Sequence, residues 1–182
     1  MGNLTALIAG ANQGKSYFAK ELLISQNSPC FVYDIQDCYG PTSTKTGDLI
    51  TNLPLAKDRE EALVKYPRCR FFGTPDEFIE LAQQRRHTTI VIEEATIFLE
   101  GKTHPNMRRL MVDRFHHRNN IIIMFHSVNA INPRILEMSD YIVLFKTGDS
   151  DAIIRRKCPK IYLDFLKLQK MPDRSKKIIK NI

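Results

Sequence analysis

The apolar positions of this chain fall mostly in short unbroken runs rather than in strict alternation, and the runs are separated by segments of helical period. Residues 3–9 (NLTALIA) form the first run, and glycine bounds it, as at the edge of a buried strand. Residues 15–24 (KSYFAKELLI) then place Phe18, Leu22 and Leu23 on one helical face. A second strand is expected over Pro29–Asp34, followed by a turn-rich stretch; residues 42–56 have no clear period, and 37–56 is read as a long loop or hairpin insertion. A helix near Asp58–Lys65 and a short strand at Arg70–Phe72 come next. A further helix over Pro75–Arg85 has a clear start: Thr74 can cap it, Pro75 suits its first turn, and Asp76 and Glu77 favour its positive end. TTIVIEEATIFLE predicts a strand over 88–93 running into a helix, residues 105–118 a helix, and residues 119–127 and 141–145 two more strands. Strands buried on both sides and alternating with helices imply an α/β fold, a mostly parallel sheet with helices on both faces.

The loop after the first strand reads AGANQGKS. It matches the phosphate-loop pattern G-x-x-x-x-G-K-[ST] at Gly14, Lys15 and Ser16, while Ala9 replaces the first glycine and Gly10 follows one place late. Strand, glycine loop and helix is the context that motif needs. There the backbone amides of Gly10, Ala11, Asn12, Gln13, Gly14, Lys15, Ser16 and Tyr17 can converge on a polyphosphate at the positive end of a helix. Lys15 is then placed to reach the outer phosphates and Ser16 to hold magnesium, which makes ATP and Mg2+ the expected cofactors. Without a second motif, the same eight residues also describe a helix start with a surface lysine.

That second motif is Ile90-Val91-Ile92-Glu93-Glu94, an apolar strand ending in two carboxylates. In phosphate-loop hydrolases such a strand is expected beside the loop strand, with its acids facing the nucleotide. Glu93 is the candidate magnesium residue and Glu94 the candidate base that polarises the attacking water, work that requires a carboxylate within hydrogen-bond reach. Taken alone, the pair also fits a solvated strand-to-helix corner.

Composition is that of one globular domain, with 182 residues, 43% of them hydrophobic and 26% charged. The longest apolar run, Ile121–Phe125, is far short of the ~20 residues of a membrane span, and no signal segment precedes the first strand, so an intracellular protein is expected. Met1-Gly2 begins a myristoylation pattern that Ala6 breaks. The cysteines at 30, 38, 69 and 158 form no C-x-x-C pair and read as buried free thiols. The net charge of +7 is concentrated at one end: from Phe145 onward eleven Lys and Arg face four Asp, while the remainder carries sixteen of each sign. Such a cluster suits either a nucleic-acid contact or a solvated basic tail.

The order AGANQGKS, FVYDIQD, TPDEFIELA, TTIVIEEAT, FHHRNNIIIMFHS and NPRILEMSDYIVLFK resembles the FtsK–HerA superfamily of DNA-pumping ATPases over residues 3–147, most like the genome-packaging ATPases of membrane-containing icosahedral viruses. The resemblance implies a RecA-like P-loop NTPase core over 1–150, to which the basic segment 151–182 adds a helical extension. It implies a motor that translocates double-stranded DNA as a homo-oligomeric ring, pentameric or hexameric, docked on a capsid vertex or membrane protein, in the host cytoplasm or at the virion vertex. It also implies a polar sensor after the 119–127 strand. The family's glutamine is missing there, so the role falls to His126 or Ser127. An arginine supplied to the neighbouring subunit's nucleotide is the last implied part, with Arg118 and Arg114 as candidates ahead of Arg108 and Arg109. Lys45 is a possible pore element. The competing readings are a small P-loop kinase, which has no use for Glu94, a related secretion or extrusion ATPase, and a non-catalytic nucleic-acid-binding module on the basic tail.

Overall fold

The structure is a computed structural model and describes residues 2–41, 49–98 and 105–180; the proposed pore residue Lys45 lies outside them. Eight strands form one sheet: β1 (Leu4–Ile8), β2 (Cys30–Tyr33), β3 (Leu55–Ala56), β4 (Arg68–Phe71), β5 (Thr89–Ile92), β6 (Asn120–Phe125), β7 (Tyr141–Phe145) and β8 (Lys176–Lys180). Their order across the sheet is β3-β4-β2-β5-β6-β1-β7-β8, and every pairing is parallel except β7 with β8. The helices are α1 (Lys15–Gln26), α2 (Pro75–Gln84), α3 (Pro105–His117), α4 (Pro133–Met138), α5 (Asp151–Lys157) and α6 (Tyr162–Gln169).

Alternate residues of each central strand enter two separate cores, which is why the strands read as continuous apolar runs. Ile90, Ile92, Ile121, Ile123 and Phe125 face the larger core with α2 to α6, whereas Val91, Ile122 and Met124 face the smaller one. Phe18, Ala19 and Leu23 of α1 close the smaller core together with Tyr39 and Leu53 from the irregular segment after β2. That segment is therefore packed at both of its described ends: Tyr39 is fully buried, and its carbonyl accepts from the Leu53 amide and the Thr51 hydroxyl.

The α/β expectation holds, with four local differences. The acidic strand β5 is not beside the loop strand β1, because β6 is inserted between them and pairs with both. The segment expected as a helix near 58–65 is a single wide turn over Glu61–Lys65, where the Tyr66 amide reaches back five residues to the Glu61 carbonyl. After β5 the chain makes a tight 3₁₀ turn over Ala95–Phe98, where an α-helix was expected. The C-terminal extension is helical over α5 and α6 and then returns as β8, antiparallel on β7, rather than staying helical.

All four cysteines are buried and free, as expected. Gly2 is also buried, and a Cβ there would lie 2.3 Å from the Asn119 carbonyl oxygen and 2.4 Å from that of Arg114, so only glycine fits.

Candidate functional site

In a parallel sheet every strand ends at the same edge, and register decides which strand-end residues meet. Ile8 is level with Phe125 and Ile92 with Ile123, so the residues just past β1, β5 and β6 converge at one edge. Gly14 makes the turn from β1 into α1 possible: its φ of 93° is left-handed, a conformation that costs glycine little and other residues more. The N-terminus of α1 has neither a side-chain cap nor an acidic residue in its first turn, so its amide donors stay free for an anion. The start of α2 differs sharply, because it carries a complete capping box between Thr74 and Glu77.

A cleft of about 790 Å³ lies over this loop, lined by residues 10–17 together with Gln36, Cys38, His126, Phe145, Arg174 and Lys176. Lys15 lines it, is buried, and is held by desolvation below the usual lysine pKa, with the nearby Glu93 and Glu94 charges opposing that shift. Its Nζ lies 2.9 Å from His126 Nδ1. On the far side of the ring, His126 Nε2 is 2.6 Å from Glu94 Oε2. An ammonium can only donate, so Nδ1 accepts from Lys15 and Nε2–H donates to Glu94, which defines the neutral tautomer. Glu94 also accepts from the Thr96 hydroxyl. Glu93 accepts from the Ser16 hydroxyl, is almost wholly buried, and is pushed by that burial up to about 7. Its second oxygen, Oε2, has no hydrogen-bond partner.

Sequence reasoning anticipated this convergence for the loop, Lys15, Ser16, Glu93, Glu94 and His126. Ser127 turns away, its hydroxyl donating to Asp149 Oδ1 at 2.9 Å. Arg114 does not fit the role of an arginine presented to a neighbour. It is buried, donates to the Met111 and Met138 carbonyls, and pairs with Asp140 at 3.2 Å, which commits its guanidinium to its own chain. Arg118 is exposed beyond the end of α3, in a left-handed conformation, at the sheet edge opposite the cleft. Arg108 is exposed as well, and Arg109 pairs with Asp113 along the helix.

Three residues of this region escaped the sequence reading. Asp34 ends β2 just as Glu93 ends β5, and that parallel was the available signal. Its carboxylate accepts from the Cys38 and Tyr39 amides at 2.7 and 3.0 Å, and Asp34, Cys38 and Glu93 bring one donor atom each within 4.8 Å of one another. Arg174 has no local signal at all, since its amide donates to Gln13 Oε1 from 161 residues away.

No protein-family model matches the sequence, and no curated protein matches it. Solved structures do match. The genome packaging NTPase B204 of Sulfolobus turreted icosahedral virus 2 in complex with AMP superposes with a TM-score of 0.76 at 14% identity, covering 99% of this chain and 93% of that one. The same protein in complex with ATP-gammaS gives 0.72 at 15% identity, with 98% and 97% covered. The N-terminal domain of zonular occludens toxin from Neisseria meningitidis gives 0.51 at 9%, with 81% and 78% covered. Over essentially its whole length, this chain has the fold of the viral genome-packaging NTPase B204.

Proposed function

We propose that the protein is an ATPase that translocates double-stranded DNA and packages a viral genome into its capsid. The observation that carries the reading is the hydrogen-bonded line Lys15–His126–Glu94 beside an uncapped helix N-terminus. The shared fold supports the packaging assignment, since B204 has been solved with AMP and with ATP-gammaS.

The loop amides and Lys15 bind the phosphates, and Glu94 accepts the proton of the attacking water. Lys15 exchanges His126 for phosphate oxygen as the nucleotide enters, which leaves His126 to report occupancy to Glu94 and fits it to the sensor role. Ser16 and Glu93 would hold Mg2+, and the partnerless buried Glu93 Oε2 fits a hard cation. The soft Cys38 thiol is a poor magnesium ligand and stands outside that set. When bound, the ion neutralises phosphate charge. Arg118, exposed and far from its own cleft, is the arginine offered to the adjoining protomer of a ring, in the manner of fingers that stabilise phosphoryl transfer in trans. A capsid-vertex or membrane protein docks that ring.

The test is steady-state ATP hydrolysis with and without double-stranded DNA across a salt series. DNA stimulation that fades as salt rises is expected, together with loss of nucleotide binding in Lys15→Ala. In Glu94→Gln, binding persists while turnover drops by about 10²–10⁴-fold. Hydrolysis indifferent to DNA at every salt concentration would sink the motor reading, and parental turnover in Glu94→Gln would remove Glu94 from the chemistry.

A further inference from the structure

Because β8 runs antiparallel to β7, it starts where β7 ends, at the edge of the sheet that carries the phosphate loop. Lys176 sits opposite Phe145, and the turn before it, from Pro172 to Ser175, lies across the loop. Four contacts tie that turn and the residue after it down. The Arg174 amide donates to Gln13 Oε1 at 3.1 Å, Asp173 pairs with Lys146 at 3.1 Å, and the Lys176 ammonium lies 4.5 Å from the Phe18 ring centre and 3.9 Å from Glu21. The stem of Arg174 passes over the loop, with its Cβ and Cγ about 4 Å from where a Gly14 side chain would begin. Both Arg174 and Lys176 line the cleft. Among the described residues no carboxylate pairs with the Arg174 guanidinium, an exposed fork of donors on a residue that lines the cleft. The cleft thus has two charged ends. Lys15 and His126 line the one suited to outer phosphates, with Glu93 and Glu94 bonded to Ser16 and His126 beside it, and Arg174 and Lys176 line the other, beside Tyr17 and Phe18 in the first turn of α1.

We propose that the C-terminal turn is a clamp built into the nucleotide site of the same chain, in which Arg174, with Lys176 beside it, binds the inner phosphate and ribose end of the nucleotide. Arg174 is a binding residue and takes no part in the chemistry. It fixes the end of the ligand that is the same in mono-, di- and triphosphates, so its contribution is shared by substrate and transition state and appears in KM rather than kcat. The proposal rests on the reading of the cleft as a nucleotide site. It is also why the last strand turns back onto the sheet: a helical tail would carry these cations away from the loop.

The experiment compares Arg174→Asn, Arg174→Lys and Lys15→Ala in the full chain by calorimetric titration with ADP and AMP, and by ATP hydrolysis kinetics. Asparagine tolerates the left-handed φ of 63° at this position, so the variant removes the charge without straining the turn. The expected result is binding of ADP and AMP weaker by about tenfold in Arg174→Asn, the value of one charge-assisted hydrogen bond, with KM raised, kcat kept, and partial rescue in Arg174→Lys. Undiminished ADP and AMP affinity in Arg174→Asn, while Lys15→Ala loses ADP binding, would overturn the clamp and leave the nucleotide site standing. If the parent protein binds neither nucleotide, the reading of the cleft itself fails, and the clamp with it.

Discussion

Glu93 is the residue at which function and stability pull apart. Its carboxyl group is enclosed at the end of β5, and burial raises it from the usual 4.5 to about 7, with the Asp34 charge adding to the rise and Ser16 and Lys15 opposing it. The fold therefore favours the neutral acid. Stability from this group is fully present below about pH 4 and is lost as pH rises through about 7, because the folded chain must then carry a buried charge that the unfolded chain solvates. The full swing is about 3 kcal/mol. Glu93→Gln keeps an acceptor for the Ser16 hydroxyl and removes the charge. In chelator-containing buffer it is expected to melt several degrees above the parent at pH 8 and close to it at pH 5. A variant that melts below the parent at pH 8 would show that Glu93 carries no such cost.

The helices show how the same backbone problem is solved in opposite ways. At α2 the Thr74 hydroxyl and the Glu77 carboxylate satisfy each other's orphan amides, so that end is sealed. Thr74→Ala is expected to cost about 1 kcal/mol, a drop in Tm of roughly 2–4 °C, with nucleotide affinity unchanged; altered affinity would mean that α2 reaches the site. At α1 the amides are left open behind Gly14, and affinity for an anion takes the place of the cap. Both starts were legible in the sequence because a cap and a phosphate loop are written in consecutive residues. The strand runs were legible for the same reason, since burial on both faces leaves unbroken apolar stretches. What neighbouring residues do not encode is who pairs with whom. The insertion of β6 between β1 and β5 depends on crossovers, and KKIIK, with three lysines in five residues, reads as a basic tail until β7 offers it an edge. Glu93 and Glu94 could be read without the strand order. Arg174 could not, because only the antiparallel return of β8 brings it to the loop.

At the scale of the whole molecule, the basic excess of the C-terminal fifth divides into three parts. One part is spent within the chain: Lys146 on Asp173, Lys177 on Asp164 at 3.8 Å, Lys157 on the Asn129 carbonyl, and Arg155 over the Tyr162 ring. Arg174 and Lys176 belong to the cleft. Arg156, Lys160 and Lys167 are exposed along the α5–α6 segment and, among the described residues, pair with no carboxylate. A motor that moves along any duplex needs contacts of this kind, made to phosphates and indifferent to bases. The segment sits on the side of the sheet opposite α1, outside the nucleotide cleft, so its charges can be removed without touching the loop. Replacing all three by Gln is expected to leave hydrolysis without DNA at the parental rate. The logarithmic dependence of DNA affinity on salt should flatten by up to about 2.7, the slope that three phosphate contacts contribute. An unchanged slope would free these residues of any role in DNA binding, and the duplex contacts would then have to be sought elsewhere on the protein.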